Sequence, residues 1–257
     1  MADTGGIDLD HTSFAVHDAL SWARRLRREI GVVPIAGESL PEFRYLLLQT
    51  GERTGGARLE LLEPTGPGFL TRHLDKRGEG PHHLTFSVPD LRAAVARVRE
   101  LGAEVVGEDY GHAPWREAFI APGPQHRTVI QLAQSDRAYP SAEELRAGGE
   151  PDVAELPSVR GATEPHWWAS TWETPAGAAV PLHSTHLDTA DLAFSRRLFH
   201  DVLGGRVYET ERHLDFSWPG GTIRVRAADR PGVRGMGPSL GGGAGIGLGS
   251  AVLGLPG

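Results

Sequence analysis

The sequence contains no cysteine among its 257 residues, and only two methionines. Disulfides and thiolate metal sites are therefore excluded, so any bound metal must be held by histidine, carboxylate or amide groups. Basic charge is also scarce, since 26 Lys and Arg stand against 33 Asp and Glu and give a net charge of -7. Nucleic-acid binding needs a basic face, so we expect no nucleic-acid partner.

Targeting signals and long apolar runs are lacking as well. Residues 1–10 are acidic and show neither the basic nor the apolar part of a signal peptide. The uncharged stretch 237–257 holds nine glycines and too few large side chains for a membrane span. We therefore predict a cytoplasmic protein with no membrane partner. The high content of glycine and proline, 34 and 19 residues, is typical of a turn-rich β protein.

One short pattern occurs twice. Asp10–Val16 reads DHTSFAV, His82–Val88 reads HHLTFSV, and each run leads into an aspartate that opens a helical pattern, Asp18 or Asp90. The overlay has an offset of 72 and continues downstream, pairing FRYLLLQTG at 43 with WREAFIAPG at 115. A repeat of this size indicates a tandem pair of supersecondary units.

Each unit is predicted to be βαβββ. The first comprises strand 7–16, helix 19–30 and strands 32–36, 43–50 and 57–62, and the second comprises strand 81–88, helix 90–101 and strands 104–108, 115–121 and 128–133. A third unit follows, with helix 192–203 and strands 207–210, 213–218 and 222–227, and no fourth partner is apparent in the pattern.

These units predict four segments. Residues 1–135 form a paired βαβββ metal-binding domain, 136–180 a linker, 181–229 a third, unpaired βαβββ half-domain, and 230–257 a Gly-rich, disordered tail. Three tryptophans interrupt the linker, and we expect them to dock it onto the first domain: Trp167, Trp168 and Trp172.

Equivalent positions in the first two units carry metal-ligand side chains. His11 and His83 each lie seven residues before the helix-opening aspartate, and strand alternation gives them small or polar companions on one face. Glu60 and Gln131 occupy equivalent places on the last strands. Two imidazoles, a carboxylate and an amide oxygen suit one divalent metal, Zn, Co, Ni, Mn or Fe. A degenerate, metal-free cup is the alternative. His82 is predicted to point away from this face.

The third unit does not carry a set of metal-ligand side chains at the equivalent positions. Its corresponding positions hold Ser184 and, approximately, Arg224, which do not form a metal site. We interpret it as structural or substrate-covering, although His186 shares a face with Ser184.

Residues 7–135 resemble the vicinal oxygen chelate superfamily, which includes glyoxalase I, extradiol dioxygenases and bleomycin or fosfomycin resistance proteins. The methylmalonyl-CoA epimerase branch is most similar, through LDHTSFAV, RLELLEP, GPHHLTFSV and EAFIAPGPQHRTVIQLAQ. The resemblance implies an α+β cup made of tandem βαβββ units. It also implies metal ligation by His11, Glu60, His83 and Gln131.

The epimerase's paired catalytic carboxylates correspond to Tyr45 and Gln131, and neither is a carboxylate. Glutamine cannot shuttle a proton. Adding the offset of 72 to Tyr45 leads to Glu117, so we predict Glu117 as a relocated general base with Tyr45 as hydrogen-bond donor or acid. Glu60 is a further candidate, shuttling protons as it leaves the metal.

The implied function is a metal-dependent isomerase or epimerase that removes a proton α to a carbonyl, from a small molecule with adjacent oxygens such as a CoA thioester. Alternatives are a cyclitol or hydroxy-ketone epimerase, a glyoxalase-type lyase, an extradiol-type dioxygenase, and a metal-free antibiotic-binding resistance protein. The cup is built within one chain or across a homodimer, and the sequence does not distinguish the two arrangements.

Overall fold

The computed structural model describes residues 6–51, 57–111, 115–136, 166–238 and 244–255. It confirms the α+β class, with two β-sheets accompanied by short helices. No helix within these residues is long and apolar enough to cross a membrane.

The first sheet contains both predicted units. Its strands are β1 (Asp8–Ala15), β2 (Val33–Ser39), β3 (Phe43–Gln49), β4 (Arg58–Pro64), β5 (Gly80–Ser87), β6 (Val105–Asp109), β7 (Trp115–Ile120) and β8 (Val129–Ser135). They are arranged in the order β2-β3-β4-β1-β5-β8-β7-β6. The first strands of the two units, β1 and β5, are antiparallel neighbours at the centre, and each has the last strand of its own unit on its other side. This order confirms the tandem repeat.

Three helices accompany this sheet: α1 (Ala19–Ile30), α2 (Phe69–Arg77) and α3 (Leu91–Glu100). The carboxylates of Asp18 and Asp90 accept hydrogen bonds from the backbone N–H groups three residues on, so each is an N-cap as predicted. Helix α1 ends at Gly31, whose φ of 61° is the left-handed conformation that glycine adopts without strain. The predicted bounds of α1 are confirmed.

The second sheet contains the third unit and the end of the chain. Its strands are β9 (Ser184–Thr189), β10 (Arg206–Glu209), β11 (Leu214–Trp218), β12 (Gly221–Ala227), β13 (Gly232–Met236), β14 (Gly245–Leu248) and β15 (Ala251–Gly254). Their order is β10-β11-β12-β9-β13-β15-β14. Helix α4 (Leu192–Arg196) follows β9, is capped by Asp191, and continues as a π-helical turn, Arg197–Val202.

The prediction of an unpaired third unit with a disordered tail is wrong for the described part of residues 230–257. Strand β13 is antiparallel to β9 as β5 is to β1, and β15 is parallel to β13 as β8 is to β5. Strand β14 completes the series as the counterpart of β7. The described part of the tail therefore contributes three strands that pair with the third unit as β5, β7 and β8 pair with the first. The division of the chain into domains stays a prediction.

Two features explain why this glycine-rich tail is ordered. Alternating apolar side chains on its last two strands are buried: Ile246, Leu248, Ala251 and Leu253. Glycine is also required where β13 approaches β15, because a Cβ on Gly235 would lie 1.8 Å from the Val252 carbonyl oxygen. High glycine content here reflects close strand packing rather than the lack of a core.

The apolar faces of the two sheets pack toward each other. Phe86 on β5 contacts Phe199 and Trp218 of the third unit, with ring centroids 6.2 and 5.0 Å apart. Thr12 and Thr185, on the central strands of the two sheets, share a hydrogen bond of 2.6 Å between their hydroxyl oxygens. The opposite face of the first sheet is consequently left for polar side chains.

The tryptophans of the linker dock onto the first unit, as predicted. Trp168 is fully buried, and its indole N–H donates to the Gly37 carbonyl at 2.9 Å. The guanidinium of Arg27 on α1 lies 4.7 Å from the Trp172 ring. Residues 137–165 of the predicted linker lie outside the described residues.

His126 links the two sheets in a way that makes folding sensitive to acid. It is 4% exposed, its Nε2 lies 2.9 Å from the Ser195 hydroxyl oxygen of α4, and its ring contacts Phe194 and Phe199. Burial lowers its pKa from 6.5 to about 4. Below about pH 6.5 the unfolded chain therefore binds a proton at this residue that the folded chain does not bind. The contribution of neutral His126 to the free energy of unfolding is complete above pH 6.5 and declines as pH falls to 4.

We expect His126→Gln to lose less stability than wild type between pH 7 and pH 4, by about 3 kcal/mol at most, since each pKa unit is worth about 1.4 kcal/mol. Urea unfolding at several pH values measures this. The matched control is His17→Gln at an exposed site, which should keep the wild-type pH dependence. Equal pH slopes for His126→Gln and wild type would contradict the prediction.

Candidate metal centre

The predicted ligands lie on the four central strands of the first sheet. His11 is on β1, Glu60 on β4, His83 on β5 and Gln131 on β8. Ser13, two residues after His11, pairs with both Glu60 and His83 across the neighbouring strands. This register brings the four side chains onto one face.

Three of these side chains form a compact cluster. One ligand atom each from His11, Glu60 and His83 lies within 4.8 Å of the others. Glu60 Oε2 is 3.4 Å from His11 Nε2 and 3.9 Å from His83 Nε2. Gln131 Oε1 lies 3.2 Å from His83 Nε2, which adds an amide oxygen beside the cluster. All four residues are buried.

The donor set fits a divalent cation. His11 Nε2 is buried and has no hydrogen-bond partner among the residues that the structure describes. An unsatisfied buried nitrogen that faces a carboxylate and a second imidazole is the arrangement expected of a metal ligand. Ser13 supports the set, because its hydroxyl donates to Glu60 Oε2 at 2.6 Å and lies 3.1 Å from His83 Nε2.

The electrostatics of the cluster require positive charge next to Glu60. Burial alone would lower the pKa of His11, but the adjacent Glu60 and Asp10 carboxylates raise it to about 9. Burial, together with the charge of His11, lowers the pKa of His83 to about 4. The buried Glu60 carboxylate has a lowered pKa because both histidines offset its desolvation. A cation held by the two Nε2 atoms would satisfy the same carboxylate.

Glu117, the predicted general base, is connected to this cluster through Gln131. Thr85 donates to Gln131 Oε1 at 2.7 Å, which directs the amide nitrogen of Gln131 away from the cluster and toward Glu117. Gln131 Nε2 donates to Glu117 Oε2 at 2.6 Å, and the Trp115 indole N–H donates to the same oxygen at 3.1 Å. One amide therefore separates the Glu117 carboxylate from the candidate ligands.

Tyr45, the predicted acid, lies on the other side of the cluster. It is on β3, two residues from Leu47, which pairs with Glu60. Its hydroxyl donates to Glu38 Oε2 at 3.4 Å, a long hydrogen bond. Glu38 is 3% exposed and was not identified from the sequence, because the predicted strand ends at residue 36 whereas the observed strand continues to Ser39.

The prediction that His82 points away from the site is wrong. His82 Nδ1 lies 2.8 Å from His83 Nδ1, because the pairing of β1 with β5 shifts register between Ser13 and Phe14. Strand alternation does not hold through such a β-bulge. The repeat did offer a sequence signal for the position of His82, since the offset of 72 relates it to Asp10. In the structure Asp10 likewise contacts the histidine that follows it, with its Oδ1 2.8 Å from His11 Nδ1.

The second sheet has no comparable cluster within the described part of the chain. Arg224, at the place of Glu60, makes a bidentate ion pair with Asp215 at 2.9 and 2.8 Å. His186 Nε2 lies 2.9 Å from the Gly237 carbonyl oxygen. This sheet repeats the strand order of the first without its donor set.

Comparison with known proteins gives the family. The family model for the glyoxalase/bleomycin resistance protein/dioxygenase superfamily matches residues 10–119. An ethylmalonyl-CoA/methylmalonyl-CoA epimerase of Cereibacter sphaeroides is 31% identical over 101 residues, which are 38% of this chain and 74% of that protein. The chain belongs to this superfamily. The predicted vicinal oxygen chelate assignment, with its epimerase branch, is thereby confirmed.

Solved structures of methylmalonyl-CoA epimerases are also similar to about half of the chain. A Streptomyces coelicolor methylmalonyl-CoA epimerase variant in complex with 2-nitronate-propionyl-CoA is 28% identical, covering 50% of this chain and 94% of its own, with a TM-score of 0.45. The Mycobacterium tuberculosis methylmalonyl-CoA epimerase is 28% identical, covering 51% of this chain and 89% of its own, with a TM-score of 0.44. Both likenesses span about half of the present chain.

Proposed function

We propose that this superfamily member is a divalent-metal-dependent epimerase or isomerase that removes a proton α to a carbonyl. The observation that carries the proposal is the buried cluster of His11, Glu60 and His83, with the Gln131 oxygen beside it and Glu117 one hydrogen bond beyond. The matched epimerase relative supports the same reaction class.

The proposed chemistry divides between the cation and the chain's own residues. A bound divalent cation supplies Lewis-acid stabilisation of the negative charge that develops on the substrate oxygens. Gln131 and Trp115 hold the Glu117 carboxylate toward the substrate through their N–H groups, and Glu117 accepts the α-proton. These donors fix the position of the carboxylate, which is a requirement for efficient proton transfer.

Epimerisation also needs a proton from the other side of the planar intermediate. Tyr45 lies on β3 of the first unit and Glu117 on β7 of the second, with the four ligand-bearing strands between them. We infer that Tyr45 is the second proton-transfer group and that Glu38, to which its hydroxyl donates, orients it. Glu60 stays a candidate proton shuttle, although its hydrogen bond from Ser13 favours a fixed ligand.

The proposed substrate class is a CoA thioester with an adjacent carboxylate. The relative's printed name gives ethylmalonyl-CoA and methylmalonyl-CoA as its substrates. Such molecules present two adjacent oxygens to a metal and carry an acidic α-proton between two carbonyl carbons. A cyclitol, hydroxy-ketone or glyoxalase-type substrate, homodimer formation and a cytoplasmic location stay predictions.

A second candidate is an extradiol-type dioxygenase. His11, Glu60 and His83 have the composition of the two-histidine, one-carboxylate triad that non-haem iron oxygenases use. The metal in the purified protein distinguishes the candidates, because iron with oxygen uptake on a catechol indicates the dioxygenase. A metal-free antibiotic-binding cup would contain no metal and would bind its ligand regardless of His83.

The decisive experiment combines metal analysis with hydrogen exchange. Elemental mass spectrometry of the purified protein should give about one Zn, Co, Ni or Mn per chain, because the chain offers one such donor set among its described residues. In deuterated water, NMR should then show incorporation of deuterium at the α-carbon of methylmalonyl-CoA or ethylmalonyl-CoA. Metal without exchange on either thioester would reject this substrate class, and absence of metal would reject the metal-dependent mechanism.

A further inference from the structure

The second sheet ends one strand earlier than the first. In the first sheet β7 lies between β8 and the edge strand β6, whereas its counterpart β14 pairs with β15 and is itself the edge. Residues 237–244 alone separate β13 from β14, whereas residues 88–114 separate β5 from β7 and include α3 and β6. Among the described residues, the edge of β14 is therefore open at the place where the first sheet carries a further strand.

Two glycines present their backbone N–H and C=O groups at this open edge. In an antiparallel pair, residues that exchange hydrogen bonds with the neighbouring strand alternate with residues whose groups face away from it. The Leu255 N–H donates to the Ala244 carbonyl, so Ala244 faces the β15 side. Gly245 and Gly247 consequently face outward, and neither has a hydrogen bond on that side to any residue that the structure describes.

The other three sheet edges carry features that oppose pairing with a further strand. Charged side chains, bulges and covering segments are the usual protection of an edge strand. On β2, the Gly37 carbonyl already accepts a hydrogen bond from the Trp168 indole. Strand β6 carries Glu108 and a register shift against β7, and β10 begins with Arg206 and ends with Glu209. Strand β14, which reads GIGL, has none of these features.

We propose that the edge of β14 pairs with the same edge of a second copy of this chain, which joins the two second sheets into one. A twofold axis at Ile246 sets Gly245 of one copy opposite Gly247 of the other, and each such pair exchanges both of its main-chain hydrogen bonds. The same residues then lie on both sides of the contact, as in any isologous dimer. The inference does not depend on the proposed metal centre, whose ligands lie on the first sheet.

The charge distribution favours a second copy as the occupant of this edge. In a twofold contact each charged side chain approaches its own copy, and like charges placed opposite each other destabilise strand pairing. Residues 237–257 contain no charged side chain, although the whole chain has a net charge of -7. Val252, which pairs with Gly247, is 39% exposed and lies beside the edge. In the proposed dimer this apolar side chain lies next to a flat row formed by Gly247 and by Gly245 of the second copy.

Sedimentation velocity of the full chain over a range of concentrations should show a monomer–dimer equilibrium. Gly247→Pro removes the outward N–H, and proline is tolerated on an edge strand where that N–H faces away from the neighbouring strand. The dissociation constant should rise about tenfold or more, because each copy loses one intermolecular hydrogen bond. Gly247→Lys is the second variant, since a Cβ here meets no atom within 4 Å. It should weaken the dimer at low salt and less at high salt.

The matched control is Val106→Lys, at an exposed position of the β6 edge, which should leave the dissociation constant unchanged. Hydrogen exchange locates the contact, because the amides of Gly245 and Gly247 should exchange more slowly as the concentration of wild-type protein rises. A wild type that stays monomeric would overturn the proposal, and slow exchange of both amides in that monomer would assign the edge to another segment of the same chain. A dimer with an unchanged dissociation constant in both Gly247 variants would also overturn it, because the copies would then associate through another surface.

Discussion

Replacing Glu117 by glutamine is expected to lower deuterium exchange at the substrate α-carbon by about 10²–10⁴-fold, the usual contribution of a positioned general base. Glutamine keeps the size and the hydrogen-bonding capacity of the side chain but cannot accept the proton. The donors to Glu117, Gln131 Nε2 and Trp115 Nε1, can still bond to an amide oxygen at this place. The loss should therefore be in kcat, while metal content stays at the wild-type level.

Glu104→Gln is the matched control for this prediction, because it removes an exposed carboxylate of the same unit that precedes β6. Exchange kinetics and metal content are measured side by side for both variants. Full exchange activity in Glu117→Gln would show that another group removes the proton, and Glu60 would then become the first candidate. Metal loss in Glu117→Gln would indicate that the carboxylate acts on the ligands through Gln131.

Most of the first sheet was predictable because the same local sequence patterns occur in both of its units. Asp18 and Asp90 begin helices, strand alternation assigns His11 and His83 to one face, and an offset of 72 relates the first three strands of the two units. Each of these signals depends on neighbouring residues along the chain, and the repeat tests it independently. Glu60 and Gln131 are 71 residues apart, so matching them required a one-residue slip in the offset of 72.

The features that could not be predicted depend on pairing between distant strands. Alternation assigns His82 to the wrong face, because the bulge that turns it exists only in the register of β5 against β1. The glycines of the tail resembled a disordered segment, although residues such as Gly235 permit β13 to approach β15. Neither effect has a counterpart in local sequence propensity.

The two sheets balance the charge at an equivalent strand position in different ways. In the first sheet the Glu60 carboxylate faces two imidazoles, one of them with an unsatisfied nitrogen. In the second sheet Arg224 occupies the equivalent place and is neutralised by Asp215, an ion pair that needs no added cation. The ion pair keeps strands β11 and β12 in register but offers no coordination site, so chemistry is expected from the first sheet alone.

That contrast leads to the prediction with the largest effect. His83→Ala should reduce metal content from about one ion per chain to a trace, because it leaves a single imidazole beside Glu60. Loss of Lewis-acid stabilisation, worth several kcal/mol, should lower α-proton exchange by about 10³-fold or more. Elemental mass spectrometry and exchange kinetics measure the two quantities on the same sample.

The matched control is His186→Ala, which removes a buried histidine from β9 at the place that Ser13 holds on β1. Metal content and exchange should remain at wild-type values in this variant. Thermal unfolding with added metal gives an independent measurement, since a cation that binds only the folded state raises Tm once its concentration exceeds the dissociation constant of the site. Wild type and His186→Ala should both gain stability with metal, and His83→Ala should not. A metal-dependent Tm rise in His83→Ala would place the ion elsewhere and reject the cluster as its site.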